Sequence, residues 1–428
     1  MRILTILSAD GQIASKSRKT THIVLSLGLR LCRISEHNVS AAEMIERRPK
    51  PLMGTEPRKS EQFIYVQVLR FIAATSVVIF HAVGTAMKHI PGQSAFGYGI
   101  FRHGDLGVDI FFVISGFIIF HSTYLVRTSS LNFLLRRLQR IVPIYWLFTL
   151  GMVALSVFIP SVFSDTDWIN PRSVLLSMTF LSFLDQKMPI IFVGWSLEYE
   201  MLFYLAVTIL IFKAIKVWDD LIIIFSVLSI LSFLPAGYGL QALSAFLTNP
   251  ILLEFAYGVV VAKLFLGQRL SVLALIAVLI ATLLVAISDP TNRIVVVGLP
   301  ACLLVLAAAA LSKVRQNPST LEKVFGALGD ASYSTYLVQV FVISASVKVL
   351  SKSGALPIDL VVWVTTLVTI AAGYISYAWL ERPLLWFFSR LRASRRQISP
   401  LVVSRSSHAR HAHQIVGNAA GDGQEGAL

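Results

Sequence analysis

An arginine and a histidine interrupt the first long apolar segment of the chain. Arg70 and His81 lie in VQVLRFIAATSVVIFHAVG, residues 66–84, which otherwise has the composition of a membrane-spanning helix. In a helix their spacing places both side chains on one face, roughly 16 Å apart along the axis. Ionisable groups inside a membrane are costly and by default indicate a functional site. The alternative is that Arg70 snorkels inward and His81 lies among the outer headgroups.

Two carboxylates are predicted to lie at the depth of His81. Asp109 is near the start of the second apolar segment and Glu200 near the start of the fourth, and both segments are predicted to enter from the outside. An imidazole beside a carboxylate is suited to general acid–base chemistry. We therefore predict that His81, Glu200 and Asp109 are catalytic. Asp109 has an alternative role, because the helix dipole favours an acidic side chain near a helix N-terminus.

Three arginines, Arg136, Arg137 and Arg140, precede the third apolar segment. Their spacings of three and four residues place them on neighbouring faces of a helical turn. Guanidinium groups match the geometry of phosphate oxygens, so the group is a candidate phosphate site. The alternative is a positively charged anchor at the cytoplasmic end of a span.

The elements that must position these residues are membrane helices. Of 428 residues, 55% are hydrophobic and 14% are charged, whereas soluble proteins have about 25% charged residues. A membrane helix needs about 20 mostly apolar residues. The fold class predicted is all-α, a polytopic membrane protein of about ten helices. The ten segments are 63–84, 107–125, 143–162, 193–212, 219–235, 243–265, 270–288, 293–311, 328–350 and 359–380.

The distribution of basic residues predicts the orientation and the domain limits. With a cytoplasmic N-terminus, 29 of the 37 Lys and Arg residues fall on the cytoplasmic side, 7 fall outside and Arg70 lies within the first span, which agrees with the positive-inside rule. We predict a basic, partly disordered extension (1–62), a membrane domain (63–385) and a basic disordered tail (386–428). The extension has no uninterrupted apolar core of a secretory signal. A chain begun at Met53 should therefore insert and remain active, which expression of that shorter chain tests.

The same totals limit the possible partners. The net charge of +14 is typical of nucleic-acid binding in a soluble protein, but in a membrane protein it reflects basic cytoplasmic loops, so no nucleic-acid partner is predicted. The two cysteines, Cys32 and Cys302, are far apart. They support neither a disulfide framework nor a cysteine-based metal site, and no metal is predicted.

Taken together, the motifs resemble those of the acyltransferase-3 family of integral-membrane O-acyltransferases, and most closely its members that acetylate bacterial exopolysaccharide. The resemblance runs from about residue 63 to residue 383, and the order and spacing of the motifs carry it. The motifs are Arg70 with His81, Gly107-Val108-Asp109 with Ser115-Gly116, Arg137 with Arg140, Trp195-Ser196-Leu197 with Glu200, Glu254-Phe255 with Gly258, Ser332-Tyr333 with Tyr336, and Glu381-Arg382-Pro383.

The resemblance implies ten spans and an essential arginine and histidine in the first span, with the histidine catalytic. It implies transfer of an acyl group, most simply acetyl, from acyl-CoA to a sugar hydroxyl of a surface polysaccharide or its lipid-linked precursor, at the bacterial inner membrane. His81 would act as the base or as an acyl-histidine nucleophile. The donor-binding residues predicted on this basis are Arg70, Ser115, Arg136, Arg137, Arg140 and Glu254.

The partners implied are acyl-CoA, in particular acetyl-CoA, as co-substrate with no permanently bound cofactor, the polysaccharide acceptor, the lipid bilayer and the polysaccharide-synthesis machinery. One departure is Gln339, where similar proteins often carry a histidine. Two other classes of function fit buried charge in a membrane protein, namely a polysaccharide transporter or flippase and a structural subunit of an export complex. No internal repeat of the kind many transporters show is evident in the sequence.

Overall fold

The structure is a computed structural model that describes residues 63–90, 104–125, 129–162, 168–213, 217–234, 241–352 and 356–392. All regular elements in these ranges are helices, which confirms the all-α fold class. The predicted extension (1–62) and most of the predicted tail (393–428) lie outside the described residues. The α-helices in the described ranges are α1 (Ile64–His89), α2 (Gly107–Leu125), α3 (Ser130–Phe158), α4 (Pro171–Met178), α5 (Trp195–Lys213), α6 (Val217–Leu231), α7 (Gln241–Leu247), α8 (Leu252–Phe265), α9 (Val272–Ser288), α10 (Leu299–Val314), α11 (Thr320–Asp330), α12 (Ser332–Ser351) and α13 (Ile358–Ser376).

Eight helical segments in the described ranges are long and apolar enough to cross a membrane, and they match eight of the predicted spans. The other two predicted spans, 219–235 and 270–288, form α6 and α9, of 15 and 17 residues. Helices of this length are about 22 and 26 Å long, shorter than a hydrocarbon core of about 30 Å. α6 and α9 pack against each other. The eight full-length segments are Ile64–His89, Gly104–Tyr124, Ser130–Phe158, Phe192–Lys213, Gln241–Phe265, Ile294–Val314, Ser332–Ser351 and Ile358–Arg392.

The helix that carries Arg70 and His81 is central to the bundle. α1 packs against α2, α10, α11, α12 and α13. Its small residues Ala73 and Ala82 are completely buried, so neighbouring helices can approach closely. A helix with protein on several sides can hold ionisable side chains away from lipid.

Two glycines allow α2 and α8 to approach each other. A Cβ atom added to Gly116 would lie 2.2 Å from the carbonyl oxygen of Phe255, and one added to Gly258 would lie 2.1 Å from that of Val113. Small residues are the usual means of close helix contact in membranes. The contact brings the N-terminal ends of α2 and α8 to the same side of the bundle.

The third span is longer than its apolar segment predicts. α3 begins at Ser130, not near residue 143, and Pro143 lies inside the helix. Proline lacks an N–H, so the carbonyl of Gln139 loses its helical donor while the helix continues. The arginines predicted to precede the span are therefore part of the helix itself, and their predicted sharing of a helical turn is confirmed.

The sixth span is broken, although it is predicted as one helix. α7 ends at Leu247 and α8 begins at Leu252. Pro250 disfavours helical geometry at Asn249, and the Asn249 side chain accepts a hydrogen bond from the backbone N–H of Ile251 at 3.0 Å. The break leaves Glu254 in the first turn of α8, deep in the protein.

The last span also differs from its predicted limit. α13 passes through a π-helical segment, Tyr377–Glu381, and helical structure continues to Arg392. The boundary predicted after residue 385 falls within this helix.

Candidate active site

Charged and polar side chains from several helices surround Arg70. The guanidinium donates a hydrogen bond to the side-chain oxygen of Gln67, one turn earlier on α1, at 3.0 Å. The remaining partners act through electrostatics and come from α3, α5, the end of α11 and the π-helical segment after α13. Together with Arg70 they form what we call the Arg70 cluster, and they are Arg140, Glu200, Asp330 and Glu381.

Glu200 is held in this cluster by two hydroxyl groups. Ser115 of α2 donates a hydrogen bond to its carboxylate at 3.2 Å, and Tyr204, one turn later on α5, donates a second, short one. Ser115 is thus a partner of Glu200 in this structure. Within the described chain no hydrogen bond joins Glu200 to His81, so the structure does not show the predicted histidine–carboxylate pair.

The arginines of α3 have different surroundings. Arg137 donates a hydrogen bond to Ser122 at 3.1 Å, and its Nε has no hydrogen-bond partner among the described residues. It also interacts electrostatically with Arg140 and Glu200. Arg136 instead bonds the backbone carbonyl of Asn132, in its own helix, at 3.1 Å. Arg137 and Arg140 are therefore part of the charged interior, and Arg136 adjoins it through its electrostatic interaction with Arg137.

His81 lies among aromatic rings. Its imidazole has edge-to-face contacts with Phe80 and with Phe192, each with ring centroids 5.0 Å apart. Among the described residues, no group hydrogen-bonds either imidazole nitrogen. Within the described ranges, both nitrogens are open to another hydrogen-bond partner.

Asp109 has another partner than the predicted His81. It is completely buried, and both its oxygens accept hydrogen bonds from Arg293, from Nε at 2.9 Å and from Nη2 at 2.5 Å. Arg293 immediately precedes the helix of the eighth predicted span. Its Nη1 also lies 3.3 Å from Oδ2 of Asp105. Among the described residues no hydrogen bond joins Asp109 to His81, so a catalytic role for Asp109 stays a prediction.

Glu254, predicted to bind the donor together with Arg70, belongs to the group around Asp109 instead. It is fully buried and interacts electrostatically with Asp109 and Arg293. Neither of its oxygens has a hydrogen-bond donor among the described residues, and the group within hydrogen-bond reach is the Asp109 carboxylate, which accepts hydrogen bonds only. One arginine cannot balance two buried carboxylates, so Glu254 requires a proton or a cation. We call Asp109, Glu254 and Arg293 the Asp109 group.

Sequence reasoning assigned no role to several residues near the site. Glu381 is buried and accepts a hydrogen bond from Ser334 at 2.6 Å. It belongs to a motif quoted for the family resemblance, and a carboxylate at the end of a long apolar segment is the signal that marks it. Tyr204 lies four residues after Glu200, on the same helix face, and that spacing could have identified the pair.

No group of three or more potential metal ligands is found in the described ranges.

The fold and these groups define a multi-pass membrane protein with a charged site inside its helical bundle. The acyltransferase-3 family, characterised by an acyltransferase domain, matches residues 63–378. The chain therefore belongs to this family and is an acyltransferase. The predicted family is therefore confirmed. Membership of this family identifies the chain as an enzyme and not as a transporter or a structural subunit.

One relative and the solved structures complete the comparison. The chain is similar to the exopolysaccharide production protein ExoZ of Rhizobium meliloti (strain 1021), with 32% identity over 329 residues, which is 72% of this chain and 94% of that protein. No solved structure matches the chain.

Proposed function

We propose that this acyltransferase transfers an acyl group, most simply acetyl, from acyl-CoA to a sugar hydroxyl of an exopolysaccharide or its lipid-linked precursor at the bacterial inner membrane. The observation that carries the proposal is the placement of His81 and Arg70 on one central helix, with the other members of the Arg70 cluster packed around that helix. Similarity to an exopolysaccharide production protein supports the class of acceptor.

The arginines support acyl-CoA as the donor. Arg70, Arg137 and Arg140 are held near one another, although their like charges repel. Glu200, Asp330 and Glu381 offset part of this charge, and the N–H groups that the arginines keep suit the phosphates of CoA. With both termini in the cytoplasm, as the basic residues predict, α3 begins on the cytoplasmic side, where acyl-CoA is available. A reporter fused after Lys313 should then read cytoplasmic, and an external signal there would reverse this orientation.

His81 supplies the chemistry in this proposal. Its free imidazole nitrogen takes the proton of the acceptor hydroxyl as that oxygen bonds to the thioester carbonyl carbon. The carbon–sulfur bond then breaks, and the proton passes from His81 to the CoA sulfur. In the second route the imidazole attacks first and forms an acyl-histidine. Both routes end with a sugar ester and free CoA.

Labelled acetyl-CoA tests the proposal. Membranes containing the protein should transfer label to exopolysaccharide fragments from cells that lack the gene, and membranes with His81→Gln should not. Mass analysis of the product identifies the acyl group. Transfer of no label from acetyl-CoA or from longer acyl-CoA, with normal amounts of protein, would reject acyl-CoA as donor.

A further inference from the structure

An exposed aromatic ring stands beside the histidine. Phe192 opens a short 3-10 helical segment, Phe192–Gly194, that leads into α5. Its side chain is 37% exposed, whereas Ile191 and Val193 on either side are buried. The ring contacts the imidazole of His81. Ile191 and Val193 are therefore buried, and the Phe192 ring is left exposed beside the His81 imidazole.

Buried polar contacts hold this segment in place. The carbonyl oxygen of Val193 lies 2.9 Å from the hydroxyl of Tyr336 and 3.2 Å from that of Ser196. The two hydroxyl oxygens lie 2.9 Å apart, so their two protons supply hydrogen bonds for two of these three contacts. Gly194 packs on Tyr145, where an added Cβ would lie 2.8 Å from the phenol oxygen. Contacts to α3 and α12 thus fix the backbone on which Phe192 stands.

A fixed, exposed aromatic ring beside His81 is suited to binding a sugar. The C–H faces of a pyranose are apolar and pack on aromatic rings, while its hydroxyls point outward around the ring edge. Ligand sites commonly combine an apolar or aromatic surface with a few polar groups that set orientation. A sugar resting on Phe192 would present a hydroxyl at the distance of a ring contact from His81, and such positioning accelerates transfer.

We propose that Phe192 forms the acceptor subsite, on which a pyranose ring packs so that one hydroxyl reaches His81. This inference rests on the proposed function, since it assigns the acceptor's place at the same site. It also assigns His81 to the acceptor end of the site and the Arg70 cluster to the donor end.

Steady-state kinetics with two varied substrates test the subsite. The acceptor probe is exopolysaccharide from cells lacking the gene, deacylated with alkali and cut to oligosaccharides. Phe192→Ala should raise the acceptor KM roughly 3- to 10-fold, the range expected for loss of one aromatic contact, with the acetyl-CoA KM unchanged. Phe192→Tyr should retain the native acceptor KM. Phe192→Leu keeps apolar bulk but lacks a flat face, so it should behave like Ala.

Phe233→Ala is the matched control, because Phe233 is also an exposed phenylalanine but lies after α6. An unchanged acceptor KM in Phe192→Ala, or an equal rise in Phe233→Ala, would overturn the subsite. If Phe192→Ala accumulates poorly in membranes, the comparison of Tyr with Leu decides, and equal acceptor KM values for those two overturn the proposal. Failure of the proposed function is seen separately, as full transfer by His81→Gln.

Discussion

Arg70 and Arg293 are both held inside the helical bundle beside carboxylates, but their contacts leave them different capacities. Arg293 gives hydrogen bonds to both oxygens of Asp109 and to Asp105. Arg70 donates only to Gln67 among the described residues, although a guanidinium has five N–H donors. Arg293 is thus occupied by protein carboxylates, whereas Arg70 keeps N–H donors that no described residue uses.

The carboxylates differ in the same way. In the Asp109 group, one carboxylate is matched to one guanidinium, and Glu254 is left over with no hydrogen-bond donor in the described ranges. In the Arg70 cluster, Glu200 and Glu381 are held by hydroxyls, from Tyr204 and Ser334 among others. Hydroxyl groups fix a carboxylate without neutralising it. This contrast indicates a structural role for the Asp109 group and a binding role for the Arg70 cluster.

The largest expected effect lies outside both groups, at His81. His81→Gln should lower acyl transfer by about 10²- to 10⁴-fold, because glutamine can hold a hydrogen bond but cannot accept the proton. His89→Gln is the control, since His89 is an exposed histidine near the end of the same helix. Measured transfer from labelled acetyl-CoA should separate the two variants. Substantial transfer by His81→Gln would end the catalytic assignment.

Removal of Arg137 should weaken binding of the acyl-CoA donor. Arg137→Ala loses charge-assisted contacts worth about 1.5–3 kcal/mol each, so the acetyl-CoA KM should rise roughly 10- to 100-fold. Arg136→Ala removes the same charge from the same helix, and KM should rise less, because the Arg136 guanidinium is bonded to the backbone carbonyl of Asn132. If both variants raise KM equally, or if KM stays native and the topology reverses, the arginines are only an anchor.

Substitution of Glu200 distinguishes a role in the Arg70 cluster from a pairing with His81. If it serves the Arg70 cluster, Glu200→Gln should weaken acetyl-CoA binding by several fold, roughly 1 kcal/mol, and should cost little more in an Arg70→Lys background. Calorimetric binding to detergent-solubilised protein measures both. A native binding constant together with a lower kcat would instead support the sequence-based pairing of Glu200 with His81.

The smallest effect on turnover is expected in the Asp109 group. Asp109→Asn removes one partner of a buried ion pair, which destabilises by up to about 3–5 kcal/mol, and by less here because Arg293 is 32% exposed. The thermal unfolding temperature in detergent should fall, while the acetyl-CoA KM stays native. Glu254→Gln keeps the shape of the side chain and needs no proton, so it should be at least as stable as the native protein. A raised donor KM in Glu254→Gln would restore the sequence-based role of Glu254.

The contacts of the structure differ from the expected pairing of His81, Glu200 and Asp109 for one reason. Hydropathy places a residue along the axis of its own span, and on that basis Asp109, Glu200 and His81 share a depth. It does not determine the rotation of each helix or which helices are neighbours. Helix rotation and helix neighbours are decided by contacts such as that of Gly116 with Phe255. The hydroxyl groups of Ser115 and Tyr204 hold the Glu200 carboxylate within the Arg70 cluster.

Four features follow from the amino-acid sequence alone: the class of fold, eight of the spans, the family, and the presence of Arg70 and His81 on one helix. They follow because apolar length and residue spacing are local properties of the chain. Only the tertiary structure decided the partners. Asp109 bonds Arg293, which is 184 residues away in the chain, and Glu200 bonds Ser115 across 85 residues. Such pairs arise from helix packing, whose energy depends on contacts between distant segments and leaves no periodic trace in either one.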